Sequence, residues 1–369
     1  MTSQAVFDIE NLLHPISEDS PTGIDLREDS SPDSLYYKIK DARNSARSDE
    51  RKNLFEFSAE ANELWRTVLE LAPKILSEHS KDLEITSWYI EALIRLKGFA
   101  GLKDGFLLLK QLVESFWDDI YPLPDEDGLE TTVAPLAGLN GQGAEGVLIA
   151  PIRRVLITEG DSPGPFGFWQ YQQALDVQKI VDDSERNKKF DSLGFSLADI
   201  EKSVTASSET FFINQRDDLE LCISTYKEIG RILDDKCGAQ VAPSISNITE
   251  TLQQCLGAIK HLGQHKLPME SIDQEIPSEV GDVAESNEIE SVPQQTGPIR
   301  NREHAFEQLR VISDYFLKTE PHSPISYSID KVIKWGNMPL TELINELIPD
   351  GGSRQFYESL TGVKSNSLD

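Results

Sequence analysis

Apolar side chains recur at helical spacing along most of this chain. The strongest such stretch runs from Ser80 to Pro122. Ile85, Trp88, Tyr89, Ala92, Leu93 and Leu96 make one wide stripe. Ser80 is its expected N-cap, and Asp82 and Glu84 lie where the helix dipole favours negative charge. Gly98 is placed to end that helix and Gly101 to bend the chain back. A second stripe follows through Leu102, Phe106, Leu109, Leu112, Val113, Phe116, Trp117 and Ile120, until Pro122 and Pro124 stop it. Each large side chain buried here stabilises by roughly 1.5–3 kcal/mol. This hairpin is therefore the best core-forming segment, and nothing in it reads as an active site.

Other helices are expected on both sides of it. Phe7 to Leu13 reads as a short helix or turn. The following segment from His14 to Arg27, with Pro15, Pro21 and Gly23, reads as a strap carrying Ile16, Ile24 and Leu26 across a helical core. Helix is expected from Leu35 to Arg47 and again from Glu60 to Leu76, where Pro73 should kink or divide it. Further on, Gly141-x-Gly143-x-x-Gly146 has the spacing of a dinucleotide fingerprint. That motif requires a strand before it and a helix after it. Pro135 and Gly138 precede it and Val147 to Pro151 reads as extended, so a connecting loop is the expectation. Helices are then expected from Phe168-Trp169 and from Ser196, where Ser196-x-x-Asp199 has a capping pattern. Leu219, Cys222, Ile223, Tyr226, Ile229 and Leu233 form a stripe ending at Gly238. Ile245, Ile248, Leu252, Cys255, Leu256, Ile259 and Leu262 form another ending at Gly263. Two antiparallel helices are the natural arrangement.

Composition changes this picture at Lys266. From there to Arg300 the chain is acidic, holds four prolines and has no aromatic residue. Such a segment buries too little apolar surface to offset its ordering entropy, and it reads as a disordered linker. Helical spacing returns with Ala305, Leu309, Ile312 and Phe316. Ser323-Pro324 then opens a helix carrying Ile325, Ile329, Val332 and Ile333, and Pro339 opens a third with Leu340, Leu343, Ile344 and Leu347. The expected fold is all-α and multi-domain. Residues 1–160 form an N-terminal helical domain and 161–265 a middle helical region. An acidic linker (266–300) and a small helical C-terminal module (301–369) follow.

A formal net charge of −28 argues against a nucleic-acid partner, which would be repelled. Cys222, Cys237 and Cys255 have no metal-type spacing and read as reduced thiols. Met1 to Glu10 lacks the features of a secretory signal, and no apolar run approaches the ~20 residues that span a bilayer. A cytoplasmic protein without membrane insertion is the expectation. Among His14, His79, His261, His265, His304 and His322, none sits in a nucleophile motif. His261 and His265 are four apart, but Gly263 should end the helix between them and no third ligand completes a zinc pattern. Glu320 and His322 read as part of a turn whose Ser323 caps a helix. No catalytic residue, metal or cofactor is expected. Trp65, Trp88 and Trp117 read as core, while Trp335, beside Gly336, is a candidate interface anchor with plain packing as the alternative.

Several strings resemble a known family. PISEDSPTGIDLRED (15–29), SKDLEITSW (80–88), GLKDGFLLL (101–109), FWDDIYP (116–122) and PIRRVLITEG (151–160) resemble, in this order, the ImpA-type N-terminal domain of TssA proteins. EPHSP (320–324) followed by KWGNMPL (334–340) resembles the C-terminal module of the shorter TssA proteins. Asp25, Leu26, Arg27, Lys81, Asp82, Trp88 and Trp117 are the motif residues to which the resemblance gives a structural role. Lys81-Asp82 reads equally as a buried ion pair or a solvated first turn. The resemblance implies a non-enzymatic component of the type VI secretion apparatus, a contractile, phage-tail-like machine. Such a component self-assembles through its C-terminal module into a ring-like homo-oligomer, here with Phe316, Tyr327, Trp335, Met338 and Leu340 as candidate interface. It contacts baseplate, sheath and inner-tube proteins, and the membrane complex as a further contact, and helps initiate or coordinate tail polymerisation. The rival readings are a sheath-capping or anchoring relative and a helical ligand-binding protein or enzyme.

Overall fold

Gly98 adopts φ 60° and ψ −146° in the middle of α4 (Leu83–Phe116) and reverses the chain there. The helix is in effect two arms of a hairpin. At its open end the Leu83 N–H donates to Tyr121 O at 2.7 Å and the Tyr121 N–H to Lys81 O at 3.0 Å. Near the bend the arms touch through glycine. A Cβ on Gly105 would sit 2.9 Å from Ile90 Cγ1, and one on Gly101 would sit 2.6 Å from Leu93 O. Gly101 therefore permits the close approach, while Gly98 makes the turn. The first arm is buried on all sides from Ile85 to Ile94, not along one stripe alone.

The structure, a computed structural model, describes residues 2–52, 58–268, 302–319 and 324–336, with positions 338, 343 and 346. The described residues form two compact units, one ending at 268 and one beginning at 302. They are helical throughout, with isolated bridges but no strand. In the first unit α1 (Ile9–Leu13) and α3 (Ala59–Glu78) pack on the first arm of the hairpin, and α2 (Leu35–Lys52) packs on α3 and reaches the arm through Tyr36 and Arg43. Helix α3 continues through Pro73 as one element, so of the two outcomes expected from sequence it is not divided there. Ala72, Ile75 and Leu76 around it are fully buried, and that packing outweighs the ~3 kcal/mol an interior proline costs. The strap before α2 pairs with the start of the hairpin: the Lys81 N–H donates to Thr22 O at 2.8 Å and the Ile24 N–H to His79 O at 3.1 Å. Gly23, at φ +78°, lies where a Cβ would be 2.0 Å from His79 O. Leu26 turns inward but Ile24 is 60% exposed, so the strap buries less than its pattern suggests.

Ser80 does not cap α4. Its backbone is held in the bridge to Gly23, and Asp82 caps instead, accepting from the N–H groups of Glu84 and Ile85. After the hairpin come α5 (Leu129–Asn140) and α6 (Ile149–Arg154), separated by the Gly141–Gly146 turn. The segment expected to be extended is thus partly helical, but a helix, not a strand, precedes the glycines. The Val147 N–H donates to Gly138 O at 3.1 Å and closes the turn, while Asn140 Oδ1 accepts from the Ile248 N–H at 2.9 Å.

Helix α7 (Phe168–Gln178) begins where expected, as does α9 (Leu197–Ala206) behind its Ser196–Asp199 capping box; α8 (Asp183–Leu193) lies between them. Helices α10 (Glu209–Cys237) and α11 (Ser246–Leu262) end at Gly238 and Gly263 and pack on each other. The second arm of the hairpin packs on α10, with the Phe106 and Tyr226 rings stacked at 4.7 Å. Lys266 donates to the carbonyls of Thr205 and Ser207, and Leu267 packs on the core, so the first residues assigned to the linker belong to this unit. The rest of the acidic linker, from 269, lies outside the described residues.

In the second unit α12 (Arg302–Thr319) and α13 (Pro324–Gly336) pair side by side. Ser313 Oγ donates to Ser326 O at 3.0 Å and to Asp330 Oδ1 at 2.7 Å. Phe306 lies against Gly336 at the other end. The third helix expected after Pro339 lies outside the described residues, except that Leu343 and Glu346 are helical. Glu320, His322 and the Ser323 cap also lie outside them.

Two glycines separate crowding from intrinsic helix propensity. Gly105→Val should lower stability by about 1–3 kcal/mol, because Ile90 occupies the space it needs. Gly257→Ala, mid-helix in α11 with no atom within 4 Å of the new Cβ, should raise it by ~1 kcal/mol. Urea denaturation of the two variants beside the wild type checks both signs.

Candidate functional site

Most motif residues singled out by the resemblance meet at the foot of the hairpin. Asp82 is fully buried, and its Oδ1 accepts from the N–H groups of Glu84 at 2.7 Å and Ile85 at 3.1 Å. Its Oδ2 lies 2.9 Å from the Arg27 guanidinium, which also reaches Asp25 at 2.8 Å and Glu84 at 3.0 Å. Tyr36 donates to the same Glu84 carboxylate at 3.1 Å, and its ring packs 5.6 Å from Trp88. Burial pushes the Asp82 carboxyl above its ordinary value, against the pull of Arg27. For Arg27, burial works to lower the pKa, but Asp82, Asp25 and Glu84 together outweigh it and hold the guanidinium above its ordinary value.

Lys81 is buried beside Asp82 but is not paired with it. Its Nζ donates to Leu12 O at 2.7 Å and Leu76 O at 2.6 Å and lies 5.5 Å from the centre of the Phe116 ring. One ammonium thus joins the C-terminal ends of α1 and α3. Neither sequence reading of the Lys81-Asp82 pair survives, since both are buried and each has its own partners. Burial lowers the lysine pKa to about 8. Trp117 follows Phe116 at the end of the second arm, half-buried against the core.

Two further charge networks fasten other elements to the hairpin. Buried Glu91 accepts from Arg43 at 2.6 and 2.8 Å. Arg95 holds Glu50 at 2.8 Å and stacks over Trp65, whose Nε1 donates to that same carboxylate. On the other arm Lys103, Asp104 and Asp218 grip the N-terminal segment: Val6 N–H donates to Asp104 at 2.6 Å, Ser3 N–H to Asp218 at 2.9 Å, and Lys103 Nζ to Ser3 O at 2.7 Å. These groups hold helices together and sit beside no nucleophile–histidine pair. Among the described residues no three His, Cys, Asp or Glu side chains converge as metal ligands. Burial raises the thiol pKa of Cys222 and Cys255, as suits inert core cysteines.

The candidate interface residues lie on the second unit. Tyr327 is 62% exposed, while Phe316, Trp335 and Met338 are half-buried and Leu340 lies outside the described residues. Val311 and Leu317 are not singled out from the sequence, and Ile312 and Val332 only as helix-forming positions; all four are exposed. The available signal was density: Val311, Ile312, Tyr315, Phe316 and Leu317 are more apolar positions than one helix–helix seam accommodates. In the first unit a cleft of about 720 Å³ opens near the bend of the hairpin, lined from α2, α3, α4, α7, α10 and the segment around α6. It carries none of the predicted site residues.

Residues 13–141 match the family described as ImpA, N-terminal, type VI secretion system. Over 364 residues the chain is 24% identical to the type VI secretion system component TssA1 of Pseudomonas aeruginosa, covering 98% of this chain and the whole of that protein. A solved N-terminal domain, including the ImpA N-terminal region, of the TssA component from Burkholderia cenocepacia is 25% identical. It aligns with a TM-score of 0.58 over 70% of this chain and 94% of its own. The family match contains the strap, the hairpin and the Arg27–Asp82 and Lys81 sites.

Arg27→Met should cost about 3 kcal/mol, because it leaves the buried Asp82 carboxylate uncompensated, and adding Asp82→Asn should recover part of that loss. Urea titrations of the single and double variants test the coupling. Lys81 makes a second prediction. In the folded chain it loses its proton near pH 8, but in the unfolded chain near 10.5, so between these values the unfolded state binds more protons. Raising pH across that window should therefore stabilise the wild type relative to Lys81→Met by roughly 3 kcal/mol. The neutral amine keeps two hydrogens for its two carbonyls. Denaturation of both proteins at pH 7.5 and 10.5 gives the difference.

Proposed function

From the chain's membership of the TssA family of type VI secretion system proteins, we propose that it is a structural assembly component that works as a symmetric homo-oligomer. Its C-terminal module (301–369) joins the copies. The first unit, comprising the N-terminal and middle helical regions, presents surfaces to baseplate, sheath and inner-tube proteins, and so helps to start or coordinate tail polymerisation. One observation carries the reading: among the described residues, α12 and α13 expose Val311, Ile312, Leu317, Tyr327 and Val332. Apolar surface at this density marks an interaction site. Self-association of a helical pair buries it without a further partner, and closed symmetric rings follow when one such contact repeats around an axis. Joining several copies then multiplies weak contacts to a large structure.

The networks in the first unit serve packing, which suits a structural rather than a catalytic part. No helix among the described residues is long and apolar enough to cross a membrane. On this reading the chain works on the cytoplasmic side.

Light scattering of the full chain should give a mass several times the 41.3 kDa of one copy, with rotational symmetry in negative-stain images. Tyr327→Asp combined with Val332→Asp should shift the mass toward 41.3 kDa while circular dichroism stays unchanged. Removing 301–369 should do the same. A wild-type mass of 41.3 kDa, or full assembly of the truncated chain, overturns the proposal.

A further inference from the structure

Helix α2 carries Arg43, Arg47 and Arg51 at successive steps of four residues, so they form one row along the helix. Like charges at this spacing repel and cost a helix stability. The row lies beside the first arm of the hairpin, where the fully buried carboxylate of Glu91 meets it. Arg43 donates to Glu91 Oε1 through two nitrogens, at 2.6 and 2.8 Å. Arg47 stands 3.9 Å and Arg95 3.8 Å from Oε2, both beyond hydrogen-bonding reach. Arg95 has its own carboxylate, Glu50 at 2.8 Å. Arg51, exposed at the end of the row, has no ion pair among the described residues.

With every pair counted, four guanidiniums gather about two carboxylates, Glu91 and Glu50, and two positive charges are left over. Asp41 and Asp49, also on α2, lie two residues from members of the row and do not face it. Burial, joined by the charges of Arg43, Arg95 and Arg51, outweighs Glu91 and holds the Arg47 guanidinium below its ordinary value. Arg27, enclosed by three carboxylates, is moved the other way. The surplus is local, on a chain of net charge −28.

The surroundings fit a small ligand. Arg47 keeps 28% of its side chain exposed and Arg51 lies one turn further on, close enough for both guanidiniums to meet one oxyanion. No large apolar side chain of α2 is exposed, so the row lacks the anchor on which a protein partner seats. A long polyanion such as nucleic acid would meet the negative charge of the chain beyond the row.

We propose that Arg47 and Arg51 bind a phosphate dianion, free or as the monoester of a small molecule. Its two charges match the surplus, and guanidinium and phosphate pair through parallel hydrogen bonds. Arg43 and Arg95, held by Glu91 and Glu50, add to the field without touching the ligand. The site lies wholly in the first unit, so it does not depend on how the C-terminal module assembles.

The test titrates inorganic phosphate, and separately phenyl phosphate, into the full chain at pH 8, where phosphate monoesters are dianions. Ionic strength is held constant with chloride, and phosphorus NMR line width and thermal melting are followed. Saturable broadening and a raised melting temperature are expected for the wild type. Arg47→Gln combined with Arg51→Gln should weaken binding roughly tenfold or more. Phosphate also stabilises folded proteins by exclusion from their surface, and the double variant measures that part. Should it lose helical circular dichroism, Arg51→Gln, an exposed change, carries the test through a severalfold weakening. Binding of phenyl phosphate points to a monoester ligand, and of inorganic phosphate alone to the free ion. The proposal falls if neither ligand saturates or if the variants bind as the wild type does. It falls equally if an oligoglutamate peptide or a duplex oligonucleotide binds where phosphate does not.

Discussion

A helix enclosed on every side cannot send its polar groups to water, and the first arm of the α4 hairpin is such a helix. Everything around it follows from that constraint. The second arm can lie against it because Gly105 leaves room for Ile90. The charges it carries or adjoins find counterparts inside the protein: Asp82 in its own helix N-terminus and Arg27, Glu91 in Arg43, and Lys81 in two carbonyl groups. An unpaired buried charge would cost several kcal/mol, so the strap, α2 and the ends of α1 and α3 are tied to the arm by need as well as by apolar contact. The strap is short on buried apolar surface for its length, and Arg27 compensates by bringing one cation to three carboxylates.

The two units manage their apolar residues differently. Large exposed apolar side chains in the first unit are scattered, with Ile24, Leu123, Leu156 and Val181 far apart in the chain. On α12 and α13 they are crowded into two short helices. The first unit has enough chain to enclose its core, while α12 and α13 on their own share one seam, beyond which these side chains stand exposed. On the function proposed above, the same difference would separate a body that offers localised surfaces to several partners from a module suited to meeting copies of itself.

What was legible in the sequence was local. Gly98, Gly238 and Gly263 stop helices, the Ser196–Asp199 box starts one, and Pro324 opens another, because each acts on the few residues beside it. Where a local signal had two candidates, tertiary pairing decided. Ser80 and Asp82 are both cap formers, and the bridge from Gly23 to Ser80 leaves the role to Asp82. Pro73 illustrates the same competition, with buried neighbours outweighing a local cost. The partner of Lys81 was not legible at all: Leu12 O lies 69 residues away, and a backbone carbonyl has no sequence signature. The cleft near Gly98 escaped for a similar reason, since its walls come from separate segments. The family resemblance located the hairpin foot as important without saying why, and the geometry of Arg27 and Lys81 supplies the reason.

The grip of Lys103, Asp104 and Asp218 on the N-terminal segment has a consequence for biosynthesis. Ser3 is held by Asp218, 215 residues further along, in a site where both side chains of the Lys103–Asp218 pair are nearly inaccessible. At about 5–20 residues per second, Asp218 emerges roughly 10–40 seconds after Ser3. For roughly the second half of that interval the nascent hairpin carries Lys103 and Asp104 without the carboxylate and the α10 surface that complete their surroundings. The N-terminal segment therefore gains its last anchor only after α10 has been made. Residues 3–6 are thus the part of the first unit whose native contacts are completed late in synthesis.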